Sequence, residues 1–336
     1  MSGPDFYDRP SDEQVAALAE LAAAALPAFG LPADAPLTLV TERENAVFRT
    51  DVDGAGYAVR VHRAGYHDDV ELRSHAAWAR ALADAGVVAT APPVETVDGD
   101  LVAHADHPAV PERRQVTVLR WVDGTTLAES AEPAPDQHRR VGALMAALHE
   151  HARTWSPPAG FEVLAWDVDG LLGEHATWGR FWASSLVDDE GRALLARFRD
   201  HARTELEAFG TGSDRFGLVH GDFLPENLLV GADGAITLLD FDDGGHGWFL
   251  FDIATALVLP SLGEGFDEVQ AAFVAGYRSV RALPDDHLDR LPLFLALRGA
   301  TYVGWMDTRS HTQYAKDLGP MVAAAAVEAI ADLLDG

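Results

Sequence analysis

The sequence contains no cysteine, which excludes disulfides, thiolate nucleophiles and zinc–thiolate centres together. Its only lysine is Lys316, near the C-terminal end. Any fixed cation that holds a phosphate deeper in the chain must therefore be an arginine. Apolar runs long enough to cross a bilayer are missing. The alanine-rich stretch 15–26 is broken by Glu20 and preceded by Asp12-Glu13, the wrong flank for a signal peptide, so a cytoplasmic location is expected. There is no Gly-x-Ser-x-Gly elbow, dinucleotide fingerprint or Walker A loop, and His149-Glu150-His151 lacks the i, i+4 spacing of a zinc-binding helix. Positive charge is scarce overall. A net charge of −28 argues against nucleic acid or an anionic membrane as partner, because both would be repelled.

What is present suits a soluble globular chain: 336 residues, nearly half of them apolar, with mean hydropathy near zero. Ser11-Asp12-Glu13-Gln14 reads as a helix start with a capping box, and Gly30 follows the helix it opens. Short β-prone runs come next at 37–41, 46–51 and 57–62, the last two joined by the turn-rich 52–56. Asp68-Asp69 can cap a helix to about Ala85. Residues 94–97 and 101–103 flank Asp98-Gly99-Asp100 as a second hairpin, and 115–121 reads as a further strand. Beyond it the periodicity is helical over 136–151, 189–209, 249–259, 265–281, 286–308 and 320–334, interrupted by strands within 218–240. The reading is an α+β chain in two lobes. An N-terminal lobe over 1–119 holds a helix, an antiparallel sheet and an inserted helix. A connector follows at 120–124, then a larger, mainly helical lobe over 125–336, with a ligand held between the two.

The most informative segment is Leu218 to Val230, which contains His220-Gly221-Asp222 and, five residues after the Asp, Asn227. Ten residues further, an apolar run from Ile236 delivers Asp240-Phe241-Asp242. Asp, Asn and Asp at this spacing suit ATP-dependent phosphoryl transfer. One carboxylate orients a hydroxyl, and an amide and a carboxylate hold magnesium. Asp240 closes an apolar strand, where an unpaired charge is expensive and a divalent cation relieves it.

These motifs resemble those of the aminoglycoside phosphotransferase-like kinases. Arg60-Val61-His62-Arg63, Val118 to Gly124 and Phe251-Asp252-Ile253-Ala254 follow the pattern in order, over about residues 38–310, nearest the stress-response and homoserine kinase-like subgroup. The resemblance implies a protein-kinase-like fold with ATP (or GTP) as co-substrate and Mg²⁺ as cofactor. Asp222 is then the catalytic group that aims the hydroxyl, and Asn227 and Asp240 are the metal ligands. His220 supports the loop, and Asp252 matches the buried acid that ties the catalytic loop. Arg60 stands where the fold usually carries a phosphate-contacting lysine, with Arg63 as its competitor. Its usual glutamate partner falls on His75, for which Glu71 one turn earlier can substitute. The first hairpin turn, Glu42 to Phe48, has no glycine triplet; Asn45 can offer donors to phosphate there. Leu119 and Trp121 belong to the hinge whose backbone would read adenine.

For the acceptor, Asp242, Trp248, Tyr302 and Arg309 are candidates, the last two on one helix face with Arg298 and Trp305; Asp243 is open between a role there and plain exposure. Most remaining aromatics, Trp166, Trp178 and Phe181 among them, read as core. The expected activity is phosphate transfer to a hydroxyl of a small metabolite, an amino alcohol or hydroxy amino acid. The alternatives are an aminoglycoside-type antibiotic, a protein Ser/Thr, or a non-catalytic nucleotide-binding scaffold.

Overall fold

The computed structural model describes residues 6–42, 45–129, 135–310 and 312–335. Arg43 and Glu44, in the first hairpin turn singled out above, lie outside the described residues.

In chain order the elements are α1 (Ser11–Ala25), β1 (Thr38–Glu42), β2 (Ala46–Val52), β3 (Ala55–Val61), α2 (Asp69–Asp84), β4 (Ala89–Thr90), β5 (Pro93–Val94), β6 (Ala103–His107), β7 (Val110–Arg120) and β8 (Thr125–Thr126). There follow α3 (Pro135–Thr154), β9 (Leu164–Trp166), α4 (Val168–Leu172), α5 (Asp189–Phe209), β10 (Phe216–Val219), β11 (Leu228–Val230), β12 (Ile236–Leu238), β13 (Gly245–Trp248), α6 (Phe249–Leu257), α7 (Phe266–Arg278), α8 (Asp285–Leu288), α9 (Leu291–Thr308) and α10 (Gln313–Asp335). The chain forms two compact units. The first comprises residues up to Thr125 with 157–162 and 229–242; the second holds 126–156, 163–228 and the remainder from Asp243.

The first unit is built on an antiparallel sheet in the order β1-β2-β3-β7-β5, with β6 also paired to β7. Because side chains alternate along a strand, Phe48, Val59, Val61, Val116 and Val118 turn to one face, where they are buried with Leu21, Ala22 and Leu26 of the α1 segment. The intervening residues Arg60, His62, Thr117 and Leu119 therefore share the opposite face. Asp53 and Gly54, at φ 52° and 79°, close the β2–β3 hairpin across the Val52–Ala55 pair. That left-handed dipeptide matches the twist of the strands it joins. α2 begins at the expected cap, which proves to be a full capping box: Asp68 accepts from the amides of Val70 and Glu71, and Glu71 accepts from the amide of Asp68.

Three local expectations change. Pro10, not Ser11, stands at the N-cap of α1; Ser11 is already helical and donates its hydroxyl to Glu42 at 3.0 Å. β5 and β6 do not pair with each other. Each pairs with β7, which begins at Val110 rather than 115 and is long enough to serve both. Residues 286–308 form two helices, α8 and α9, because Pro292 stands in the first turn of α9 and offers no amide to a helix arriving from before it.

In the second unit α3 lies against α7 and α9 against α10. A three-stranded sheet, β10-β13-β9, pairs β10 antiparallel and β9 parallel to β13. This small sheet positions the loop that follows β10.

Candidate active site

Arg60 and its neighbours form a bonded cluster within the first unit. From β3 its Nη2 donates to Asp240 Oδ1 and to Asp242 Oδ2, each at 2.9 Å. Asp242 Oδ2 also accepts from Asn45 Nδ2 at 2.7 Å, and Asn45 Oδ1 accepts the backbone N–H of Arg63 at 3.2 Å. Arg60 thus contacts both carboxylates. Burial works against the charge on Arg60, but the carboxylates of Asp242 and Asp240 outweigh it and raise the guanidinium above its ordinary range. Burial likewise disfavours the Asp242 carboxylate, yet the Arg60 charge prevails and holds it well below the usual carboxylate range. His62, buried beside this pair, is pushed down to about 3, first by burial and then by the Arg60 charge. It is therefore neutral at pH 7.

Both carboxylate partners of Arg60 come from the segment after β12 and neither comes from α2. Glu71 is engaged at the α2 cap and accepts from His67 Nδ1 at 3.3 Å, and it is shifted down chiefly by that bond. His75 is buried and lines a recess of about 600 Å³ with Arg60, His62, Thr117, Leu119, Asp240 and Asp242. Asp240 adopts φ 57°, a left-handed conformation that costs a non-glycine residue about 1–2 kcal/mol. It leaves the carboxylate 44 % exposed while Asp242 is nearly covered.

The amide of Trp121 is not available to a base. It donates to the carbonyl of Gly56 at 2.9 Å, a contact so close that a Cβ on Gly56 would lie 2.8 Å from Trp121 Cβ. At this residue only the carbonyl is left to offer a base, which the sequence could not indicate because the Gly56 contact is tertiary.

The loop after β10 is held by a second network, within the second unit. Gly221 has φ 77°, and a Cβ there would fall 2.2 Å from the carbonyl oxygen of Asp243. Only glycine lets the two backbones meet. Asp252 on α6, fully buried, accepts the N–H of His220 on Oδ2 and that of Gly221 on Oδ1, both at 3.0 Å. Burial alone would raise its carboxyl; the bond from His149, with help from the backbone N–H of His220, lowers it instead. His149 of α3 donates Nε2–H to Asp252 at 3.1 Å and accepts the Tyr277 hydroxyl on Nδ1 at 2.8 Å, the tautomer this arrangement requires. Burial pushes its pKa down. The fully buried His220 accepts the Asp222 N–H on Nδ1 at 3.3 Å.

Asn227 donates Nδ2–H to both the carbonyl and the Oδ2 of Asp222, at 2.9 and 2.8 Å. With the amide nitrogen so committed, Oδ1 is the atom it can present to a metal. Arg298 reaches the other Asp222 oxygen, Oδ1, at 3.3 Å and the Tyr302 hydroxyl at 3.1 Å. Burial pushes the Tyr302 hydroxyl up to about 12, so it stays protonated.

Two acceptor candidates are buried. Trp248 is fully buried among Phe216 and Phe294 and donates its indole N–H to the Gly210 carbonyl at 2.8 Å, which makes it core. Arg309 is also buried, stacked on Trp305 at 4.3 Å and bonded to Thr308 at 2.8 Å. Sequence reasoning missed His149, although it follows Met145 by one helical turn on the apolar stripe of α3 and could have been placed there. It also missed Trp178, whose indole N–H donates to the Asp243 carboxylate at 3.3 Å.

Residues 36–287 match the profile of the phosphotransferase enzyme family, APH. The chain belongs to this family. A solved microcompartment-associated aminopropanol kinase shares 33 % identity, covering 94 % of this chain and 97 % of its own, with a TM-score of 0.84. The amicoumacin kinase of Bacillus subtilis (strain 168) is 26 % identical over 309 residues, 85 % of this chain and 82 % of that protein. A solved amicoumacin kinase, in complex with AMP-PNP, Ca²⁺ and Ami, shares the fold at 20 % identity over 87 % of this chain and 88 % of its own, TM-score 0.71. The family member described here is accordingly a kinase-type phosphotransferase of protein-kinase-like α+β fold. No helix among its described residues is long and apolar enough to cross a membrane.

Proposed function

We propose that this phosphotransferase moves the γ-phosphate of ATP to the hydroxyl of a short amino alcohol, in the cytoplasm where ATP is supplied. The observation that carries the acceptor class is the 33 % identity with an aminopropanol kinase across nearly the whole of both chains. The charge supports it: at −28 the protein attracts a cationic acceptor. Asp243 lies against the Gly221 backbone beside Asp222, and in this reading its carboxylate, which accepts from the Trp178 indole, is the counter-charge for the acceptor ammonium.

In this reading Asp222 accepts a hydrogen bond from the acceptor hydroxyl and aligns its oxygen with the γ-phosphorus. In a loose transition state that alignment matters more than early proton removal. Asn227 Oδ1 and the exposed Asp240 carboxylate are hard oxygen donors of the kind Mg²⁺ prefers. Among the described residues no three His, Asp or Glu side chains cluster as a metal site. Bound to Asn227 and Asp240, the cation would neutralise charge on the β- and γ-phosphates. Arg60 turns from Asp240 to the non-transferred phosphates while Asp242 remains its fixed counter-charge. Residues 120–124 serve as the hinge between lobes 1–119 and 125–336, with Leu119 walling the base.

An antibiotic acceptor is the second reading, favoured by the 26 % identity with amicoumacin kinase. ADP release with Mg²⁺-ATP over a panel of 1-amino-2-propanol, ethanolamine, homoserine, amicoumacin and an aminoglycoside separates the two. The highest kcat/KM is expected for the short amino alcohols. A preference of 100-fold or more for an antibiotic, or turnover with none of the amino alcohols, would sink the proposal.

A further inference from the structure

Arg298 on α9 is fully buried, an unusual place for a guanidinium. Its central carbon lies 4.3 Å from the ring centroid of Trp178, 4.5 Å from that of Tyr302 and 5.3 Å from that of Phe251. Nε and Nη1 are buried without an acceptor. Nη2 alone makes polar contacts, to Asp222 Oδ1 and to the Tyr302 hydroxyl. The ring faces offset part of the desolvation of the charge, but a buried cation with half-met donors is a poor way to stabilise a core. A hydrophobic side chain of similar length would fill the box at less cost. The one anion it touches is the carboxylate proposed to orient the acceptor.

Asp222 is thereby held at both oxygens from two separate elements. Asn227, in the single turn at 225–227, holds Oδ2 at 2.8 Å, and Arg298 on α9 holds Oδ1 at 3.3 Å. We infer that Arg298 is a positioning residue for phosphoryl transfer: a rigid counter-charge, caged by Trp178, Tyr302 and Phe251, that fixes the rotamer of Asp222. The inference rests on the proposed role of Asp222. In the step it serves, the acceptor oxygen forms its bond to the γ-phosphorus as the bond from that phosphorus to the β–γ bridging oxygen breaks. ADP leaves, and the hydroxyl proton passes by way of Asp222 to solvent. A carboxylate clamped in this way acts by alignment rather than as a strong base, which a loose transition state tolerates.

The test uses the full chain with Mg²⁺-ATP and 1-amino-2-propanol, comparing wild type, R298M, D222N and the double variant. R298M is expected to lose about 100-fold in kcat, the scale of a misplacement near 1 Å, with KM for ATP within about twofold. In R298A, which leaves the box vacant, methylguanidinium at tens of millimolar should restore part of the lost rate, which a purely structural defect would not allow. The double variant should be no slower than D222N, since both changes disable one unit. Wild-type kcat in R298M beside an impaired D222N overturns the role of Arg298 and leaves that of Asp222 standing; an unimpaired D222N overturns the reading beneath it. If R298M fails to fold, R298K decides. It keeps the charge but not the planar geometry, so a kcat at least about tenfold down at unchanged KM for ATP supports the inference, and a wild-type kcat refutes it.

Discussion

Replacing Asp252 with Asn tests the tether beneath the catalytic loop. The buried carboxylate accepts three donors: the amides of His220 and Gly221 at 3.0 Å and His149 Nε2–H at 3.1 Å. Asparagine keeps one oxygen and turns an NH₂ group toward whichever donor faced the other. At least one buried N–H is stranded, at about 1–3 kcal/mol, and the remaining bonds lose their charge assistance, at roughly 0.5–1 kcal/mol each. The sum, about 2–5 kcal/mol, is a large share of a typical stability of about 5–15 kcal/mol. Urea unfolding followed by tryptophan fluorescence should show a lower midpoint at unchanged slope. Because Gly221 precedes Asp222, kcat measured below the transition should fall about 100-fold. A wild-type midpoint together with a wild-type kcat would mean that the loop does not depend on this carboxylate, and the reasoning would fail.

Three further outcomes follow from the same geometry. His149 is held below its ordinary pKa by burial. Below about pH 6.5 the unfolded chain therefore binds a proton that the folded one refuses, and stability falls by up to about 1.4 kcal/mol per pH unit until the folded pKa is reached. Urea midpoints between pH 7.5 and 5 should show this slope in wild type and a shallower one in H149Q. G221A should lose about 100-fold or more in kcat, because its methyl would sit 2.2 Å from the Asp243 carbonyl at a φ of 77°; a rate equal to wild type would contradict the close approach. W248F should lower stability by about 1–2 kcal/mol through loss of its bond to Gly210 and leave the acceptor KM unchanged; a raised acceptor KM would return Trp248 to the acceptor site.

The sequence made the element types legible wherever periodicity was long or capping chemistry local. α5 runs over the expected 189–209, and Asp68 caps α2 where expected. It concealed β13, whose Gly245-His246-Gly247-Trp248 carries no strand signature; a Cβ on Gly245 would fall 2.4 Å from the Leu164 carbonyl of the neighbouring strand. The first half of β7 was hidden by Pro111-Glu112-Arg113-Arg114, a charged run with no apolar alternation. The carboxylate partners of Arg60 lie 180 and 182 residues further along the chain, beyond any local pattern. Arg298 could be placed on a helix face, but its complete burial depends on Trp178, from the loop after α4, and Phe251 of α6, which only folding brings to α9.

The central claim is that the chain phosphorylates an amino alcohol with Asp222 aiming the hydroxyl. Mass spectrometry of the acceptor after incubation with γ-¹⁸O-labelled ATP and Mg²⁺ tests it most directly. The account predicts labelled O-phospho-1-amino-2-propanol from the wild-type protein and a rate lower by about 10²–10⁴ from D222N. Label appearing only in free phosphate, or equal product from both proteins, would contradict it.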